Sequence, residues 1–226
     1  MKQNTDRISI QVGLSGYSFR IEADSQISSS EWMSSDRVFT TPEFQKRYDE
    51  VEIAVFTPKF ALVPSQFYSP ENKRSLLTDV TSVGDEEPVD CVEIPQHNAV
   101  LLYSNSIGET LSKVLAETVL CTDGTKAHPL PVMYYMLRNL DGLSEYNRIL
   151  AAYKDEVLYL VIAQGKTLLL CNSFRAPDFT TAQYFIFLAM KKLQLNPEMS
   201  TLTFMTRLDE EQEMSVYRYF RSVEYI

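Results

Sequence analysis

Apolar and polar residues alternate through RISIQV (7–12) and YSFRI (17–21), and GLSG between them offers Gly13 and Gly16 for a tight turn. That period of two predicts a β-hairpin. The polar run SQISSSEWMSSD (25–36) reads as an exposed loop anchored by Trp32. In TPEFQKRY (41–48), Thr41 as a cap, Pro42 at the first helical position and Glu43 next to it predict the start of a short helix. VEIAVFTP (51–58) and KFALVP (59–64) are β-rich runs bounded by proline. SQFYSPENKRSLLTDV (65–80) has helical spacing at Phe67, Leu76 and Leu77, interrupted by Pro70. VDCVEIP (89–95) and AVLLYS (99–104) read as strands, after which Ser104 or Ser106 caps a helix over 107–119 with Ile107, Leu111, Val114 and Leu115 on one face.

The pattern then starts again. PVMYYMLRNL (131–140) predicts a helix closed by Asp141-Gly142, and NRILAAY, EVLYLVIA and KTLLLCNSF form a β-meander turned by KDE (154–156) and QG (164–165). Asp178 caps a helix from Phe179 that ends with Lys191 and Lys192 and stops at Asn196-Pro197. Its middle is apolar nearly all round, so it should lie between the sheet and something else. TLTFM (201–205) is a strand, DEEQEMSVYRYFRS (209–222) a helix and VEYI (223–226) a last strand. The fold class is therefore α/β with mixed α+β sheets, in two lobes of similar order divided as 1–127 and 128–226.

Composition narrows the function more than the fold. With 226 residues, 45% of them hydrophobic and 23% charged, the chain is an ordinary globular protein. The polar opening MKQNTDRIS is no signal peptide, and VLYLVIA and YFIFLAM fall short of the roughly 20 residues of a membrane span. A cytoplasmic protein with no membrane contact is expected. A net charge of -9 repels a phosphate backbone, and the basic residues form no run, which argues against nucleic acid as a partner. Cys91, Cys121 and Cys171 lie far apart and read as buried free thiols, and His97 and His128 lack a second ligand at metal-site spacing. The acidic clusters GDEEP (84–88) and LDEEQE (208–213) read as solvated loops or helix starts rather than metal sites.

Two motifs come close to chemistry and miss. GKT (165–167) ends like a phosphate-binding loop, but Leu160 stands where the first glycine belongs and the segment leads into a strand instead of a helix. GLSGY (13–17) nearly spells a nucleophile elbow, yet Tyr17 replaces the last glycine and a strand follows, so Ser15 is a turn residue. At the C-terminal end Tyr217, Tyr219, Phe220 and Tyr225 lie beside Arg218 and Arg221, residue types common at binding hot spots.

ISIQVGLSGYSFRI (8–21), TPKFALVPSQFYSPE (57–71) and GKTLLLCNSF (165–174) with LNPE (195–198) resemble the bacterial domain-of-unknown-function family 3822, over nearly the whole chain. That family in turn resembles a degenerate branch of the actin-like ATPase (ribonuclease H-like) fold. The resemblance implies two lobes with a cleft between them, each lobe's first hairpin carrying an Asp-x-Gly type turn for phosphate and magnesium-bound water. Here the first such turn reads Gln11-Val12-Gly13, and the second is expected at Val161-Ile162-Ala163 or Gln164-Gly165. An amide or an aliphatic group is a poor magnesium ligand. The expectation is thus a non-catalytic pseudo-ATPase that binds an unidentified protein partner and uses no cofactor or metal. The alternative is a nucleotide- or small-molecule-binding enzyme, for which Gln11, Gly13, Ser15, Gly165, Lys166 and Thr167 are the binding candidates.

Overall fold

In the computed structural model, which describes residues 6–24, 26–106 and 108–226, the first alternation becomes β1 (Arg7–Gly13) and β2 (Gly16–Ala23), antiparallel with Gly13 opposite Gly16. Ile8, Ile10 and Val12 are fully buried, whereas Arg7, Ser9 and Gln11 occupy the other, polar face. The serine-rich run is not one loop. It forms β3 (Gln26–Ser29) against β2, a bridge from Met33 to Tyr17 and a 3-10 helix over Ser35–Thr40. The outer edge of β2 offers backbone groups that need partners, and the chain that follows supplies them, the Phe19 amide donating to the Ser30 hydroxyl at 2.9 Å. The helix read at TPEFQKRY is a 3-10 turn, Pro42–Gln45, followed by β4 (Arg47–Tyr48). Thr41 does not cap it: its hydroxyl donates to the Arg37 carbonyl at 2.8 Å.

β5 (Glu50–Val55) runs parallel to β1, and β6 (Phe60–Pro64) follows. A 3-10 turn with Pro70 at its first position (Pro70–Asn72), held by the Ser69 amide donating to Asn72 Oδ1 at 2.9 Å, leads into α1 (Lys73–Thr78). β7 (Asp90–Ile94) and β8 (Ala99–Tyr103) join β6 in the order β6-β8-β7. α2 (Glu109–Thr118) buries Leu115 and Ala116 against the sheet, while Ile107, expected on the same face, lies outside the described residues. Neither serine caps α2; its N-cap is Gly108, and no side chain bonds the first turn. The Ser106 hydroxyl instead donates to the Glu87 carboxylate, which also accepts from the Lys59 ammonium at 2.7 Å. Glu87 is therefore no solvated loop residue, since its side chain is only 10% exposed. β9 (Leu120–Cys121) pairs with β4, and β10 (Leu130–Pro131) lies parallel to β5.

α3 (Val132–Leu140) is buried along most of its length. The meander forms as β11 (Asn147–Lys154), β12 (Val157–Gln164) and β13 (Thr167–Arg175). Asp178 caps α4 (Phe179–Lys192), accepting from the Thr181 amide at 2.7 Å. Ala182, Ile186 and Met190 of α4 are buried in the core over the sheet, and Phe187 meets Tyr219 and Phe220. A third side stays open, with Tyr184 59% exposed, so the helix is covered less completely than its composition implies. β14 (Thr201–Phe204), α5 (Glu210–Tyr217) and β15 (Ser222–Tyr225) complete the chain. α5 ends earlier than its pattern implies, burying Phe220 beyond it but leaving Tyr217 and Tyr219 exposed.

Contacts divide the chain into two units, one of Met1–Val63, Phe67–Val92 and Leu101–Val132, the other of Pro64–Gln66, Glu93–Val100 and Met133–Ile226. Each holds a five-stranded sheet built to one plan. The first runs β3-β2-β1-β5-β10 and the second β13-β12-β11-β14-β15, with two antiparallel pairings followed by two parallel ones in each.

The cysteines are free, but they are not the buried set expected. Cys91 is exposed on the edge strand β7, and Cys121 and Cys171 are half-buried. Burial pushes the Cys171 thiol up to about 12, so it stays protonated. No helix among the described residues is long and apolar enough to cross a membrane.

Candidate functional site

Gln11, Gly13 and Ser15 fall together at the corner between β1 and β2. Gln11 sits on the polar face, opposite Ser18 on β2 and beside Ala54 on β5. Ser15 accepts a hydrogen bond from Trp32 Nε1 at 3.1 Å, and the Trp32 ring lies 6.5 Å from that of Phe56. Gly16 takes φ +146°, and a Cβ there would come within 1.9 Å of the Met33 carbonyl oxygen. That closeness follows from paired bonds on the next residue: the Tyr17 amide donates to Met33 O at 2.9 Å, and the Met33 amide to Tyr17 O at 2.7 Å. The space left by the missing side chain is filled by the protein's own backbone.

Gly165, Lys166 and Thr167 form the corner between β12 and β13, and the GKT segment runs directly into β13. Gly165 has φ +55°; its amide donates to the Tyr146 carbonyl at 2.8 Å, and a Cβ would lie 3.2 Å from the Tyr146 ring. Gln164 is also engaged, its Nε2 donating to Asn147 Oδ1 at 3.1 Å. Lys166 and Thr167 point to solvent, and Lys166 has no ion-pair partner among the described residues. The amide that a phosphate would need at this corner is thus occupied internally.

The shared strand plan moves the second lobe's matching turn. The partner of the β1–β2 corner is the one between β11 and β12, made by Asp155 and Glu156, not the stretch 161–165. This corner carries the carboxylates that 161–165 lacks. Both residues have left-handed φ, 50° and 60°, the pattern of a type I′ turn made without glycine. The Glu156 carbonyl accepts from the Ala176 amide at 2.7 Å, and Tyr153 OH donates to the Ala176 carbonyl at 3.0 Å, which ties the corner to the end of β13. Burial lowers the pKa of the neighbouring Lys154 ammonium, and Asp155 opposes that shift. The turn is visible in the sequence as KDE between two alternating runs, but glycine is the stronger punctuation mark and draws the eye ten residues further on. Glu156→Gly should relieve one strained position and raise stability by about 1 kcal/mol, measured by urea unfolding. A fall in stability would show that the Glu156 side chain holds the turn. Among the described residues no group of three or more His, Cys, Asp or Glu is placed to hold a metal ion.

A family model described as Protein of unknown function (DUF3822) matches residues 3–223. The chain belongs to this family. No curated protein matches its sequence. Among solved structures it is similar to a Bacteroides thetaiotaomicron protein of actin-like ATPase fold and unknown function, with TM-score 0.68 and 16% identity over 100% of this chain and 92% of the other. It is also similar to the cytoplasmic domain of EpsL, an inner membrane component of the type II secretion system of Vibrio cholerae, with TM-score 0.52, 11% identity and coverage of 91% and 84%. A chain of the PilM-PilN type IV pilus biogenesis complex matches with TM-score 0.51 and 12% identity over 99% and 89%. At these identities the likeness shows the fold, and the fold is the actin-like ATPase one.

Proposed function

We propose that this family member is a pseudo-ATPase, a cytoplasmic protein of two lobes (1–127 and 128–226) that works by binding another protein. The observation that carries the reading is the β1–β2 corner, where Gln11 replaces the carboxylate and Met33 fills the face of Gly16. A metal-bound triphosphate needs anionic oxygen and open backbone amides at such a turn. The likeness to EpsL, a secretion-system component, and to a structure titled as a PilM-PilN complex supports a role in which the fold serves as a docking body. Calorimetry with ATP and ADP, with and without Mg²⁺, should give no magnesium-dependent heat, and phosphate release should stay at background. Micromolar binding with hydrolysis would overturn the proposal.

A second reading is a nucleotide- or small-molecule-binding enzyme using Gln11, Gly13, Ser15, Gly165, Lys166 or Thr167. The carboxylates of Asp155 and Glu156 at the second lobe's matching corner favour it. Its signature is magnesium-dependent nucleotide binding that disappears in Asp155→Asn.

A further inference from the structure

β13 is the outermost strand of the second sheet and, at nine residues, the longest strand among the described residues. Natural sheets guard such edges with charge, proline or a short strand. β13 is long, and although Leu169 is bulged and Arg175 closes the strand, no charged residue, proline or glycine occurs from Thr167 to Phe174, and Leu168, Leu169 and Leu170 are half-exposed. The amide of Ser173 turns away from β12 and bonds its neighbour's Asn172 Oδ1 at 2.9 Å. The two-residue period of a strand turns the amides of Cys171 and Arg175 the same way. Both ends of this edge are positive. Lys166 and Arg175 are exposed, and neither has an ion-pair partner among the described residues, in a protein whose net charge is -9.

We infer that β13 is a docking edge to which a partner protein adds an extended strand of alternating apolar residues with acidic residues at both ends. Charge selects this occupant over a second copy of the chain. In antiparallel self-pairing centred on Cys171, Arg175 of one copy would face Thr167 of the other, bringing Lys166 beside it and gathering like charges at both ends. An acid-ended strand meets opposite charge there, while its main chain completes the outward amides and carbonyls. Lys166, the residue of the GKT motif, thus serves to read a carboxylate on a protein rather than a phosphate. This inference rests on the protein-binding reading above and gives that binding a place and a chemistry.

The test uses the full chain and a fluorescein-labelled peptide of alternating Val and Thr, matched to the nine residues of β13, with Glu at both ends. Anisotropy should rise to saturation, and the same peptide with Lys at both ends should bind about tenfold more weakly. Ser173→Pro removes one outward amide without touching the β12 ladder, so it should weaken the Glu-ended peptide by about tenfold with unchanged circular dichroism. Should that variant fail to fold, Lys166→Glu with Arg175→Glu provides the second arm and should reverse the preference between the two peptides. Absence of saturation, equal affinity for the two peptides, or an unreversed preference overturns the inference. So does a concentration-dependent mass in sedimentation that Ser173→Pro abolishes, which would name a second copy as the occupant. ATP turnover would end the protein-binding reading and leave the peptide result standing. Retention of a native partner by Ser173→Pro would end this inference and leave that reading intact.

Discussion

Gly16→Ala is expected to cost the N-terminal sheet about 4 kcal/mol or to prevent its folding, because its added carbon meets the tightest clash of any described glycine. The added carbon would stand 1.9 Å from the Met33 carbonyl oxygen, and that oxygen belongs to backbone and cannot rotate away. The chain must shift, which breaks the Tyr17–Met33 pair of hydrogen bonds and draws Trp32 off Ser15 and Phe56. Trp32 is the one tryptophan of the sequence, so its emission reports on this corner alone. Urea unfolding followed by that emission should show a lower midpoint and a red-shifted folded baseline. Ser15→Ala loses only an exposed hydrogen bond and should cost about 1 kcal/mol or less. A Gly16→Ala protein with native midpoint and emission would disprove the packing described for this turn.

The second large effect is expected at Glu87. Burial by itself would raise this carboxyl, but the Lys59 ammonium, the Ser104 and Ser106 hydroxyls and the Gly84 amide outweigh burial and hold it at about 2. The folded-state value lies below the ordinary 4.5, so the stabilisation is fully present above about pH 4.5 and is lost as pH falls from there toward 2. The difference corresponds to about 3 kcal/mol. Lys59→Met leaves a mostly buried carboxylate without its cation and should destabilise by about 3 kcal/mol at neutral pH. Adding Glu87→Gln to that variant should restore most of the loss, because the stranded charge is gone. An acid unfolding curve with the same slope in wild type and Glu87→Gln would refute this account.

Periodicity made much of the fold legible. The hairpin at GLSG, the meander from Asn147 and the cap at Asp178 follow from local patterns that tertiary packing did not override. What escaped was settled by distant partners. The serine-rich run became strand and bridge because the β2 edge needed backbone partners, and no period announces such a need. Ser106 looked like a helix cap, but a carboxylate from residue 87 took its hydroxyl. Asp155 and Glu156 were hidden by a rule of thumb, since left-handed turns are usually written with glycine and this one is not. Their correspondence with Gly13 to Gly16 appears only when whole sheets are compared.

Each five-stranded sheet is finished by the last of its strands to leave the ribosome. β5 waits for residues 130 and 131, and β14 for residues 222 to 225, and both closing contacts are parallel. During translation the growing polypeptide therefore carries an incomplete first sheet until residue 131 has been made and an incomplete second one until residue 225 has been made. Non-local parallel pairing is slow to form and prone to aggregate while it waits. Nascent chains should accordingly depend on holding chaperones until residues 222 to 225 have emerged.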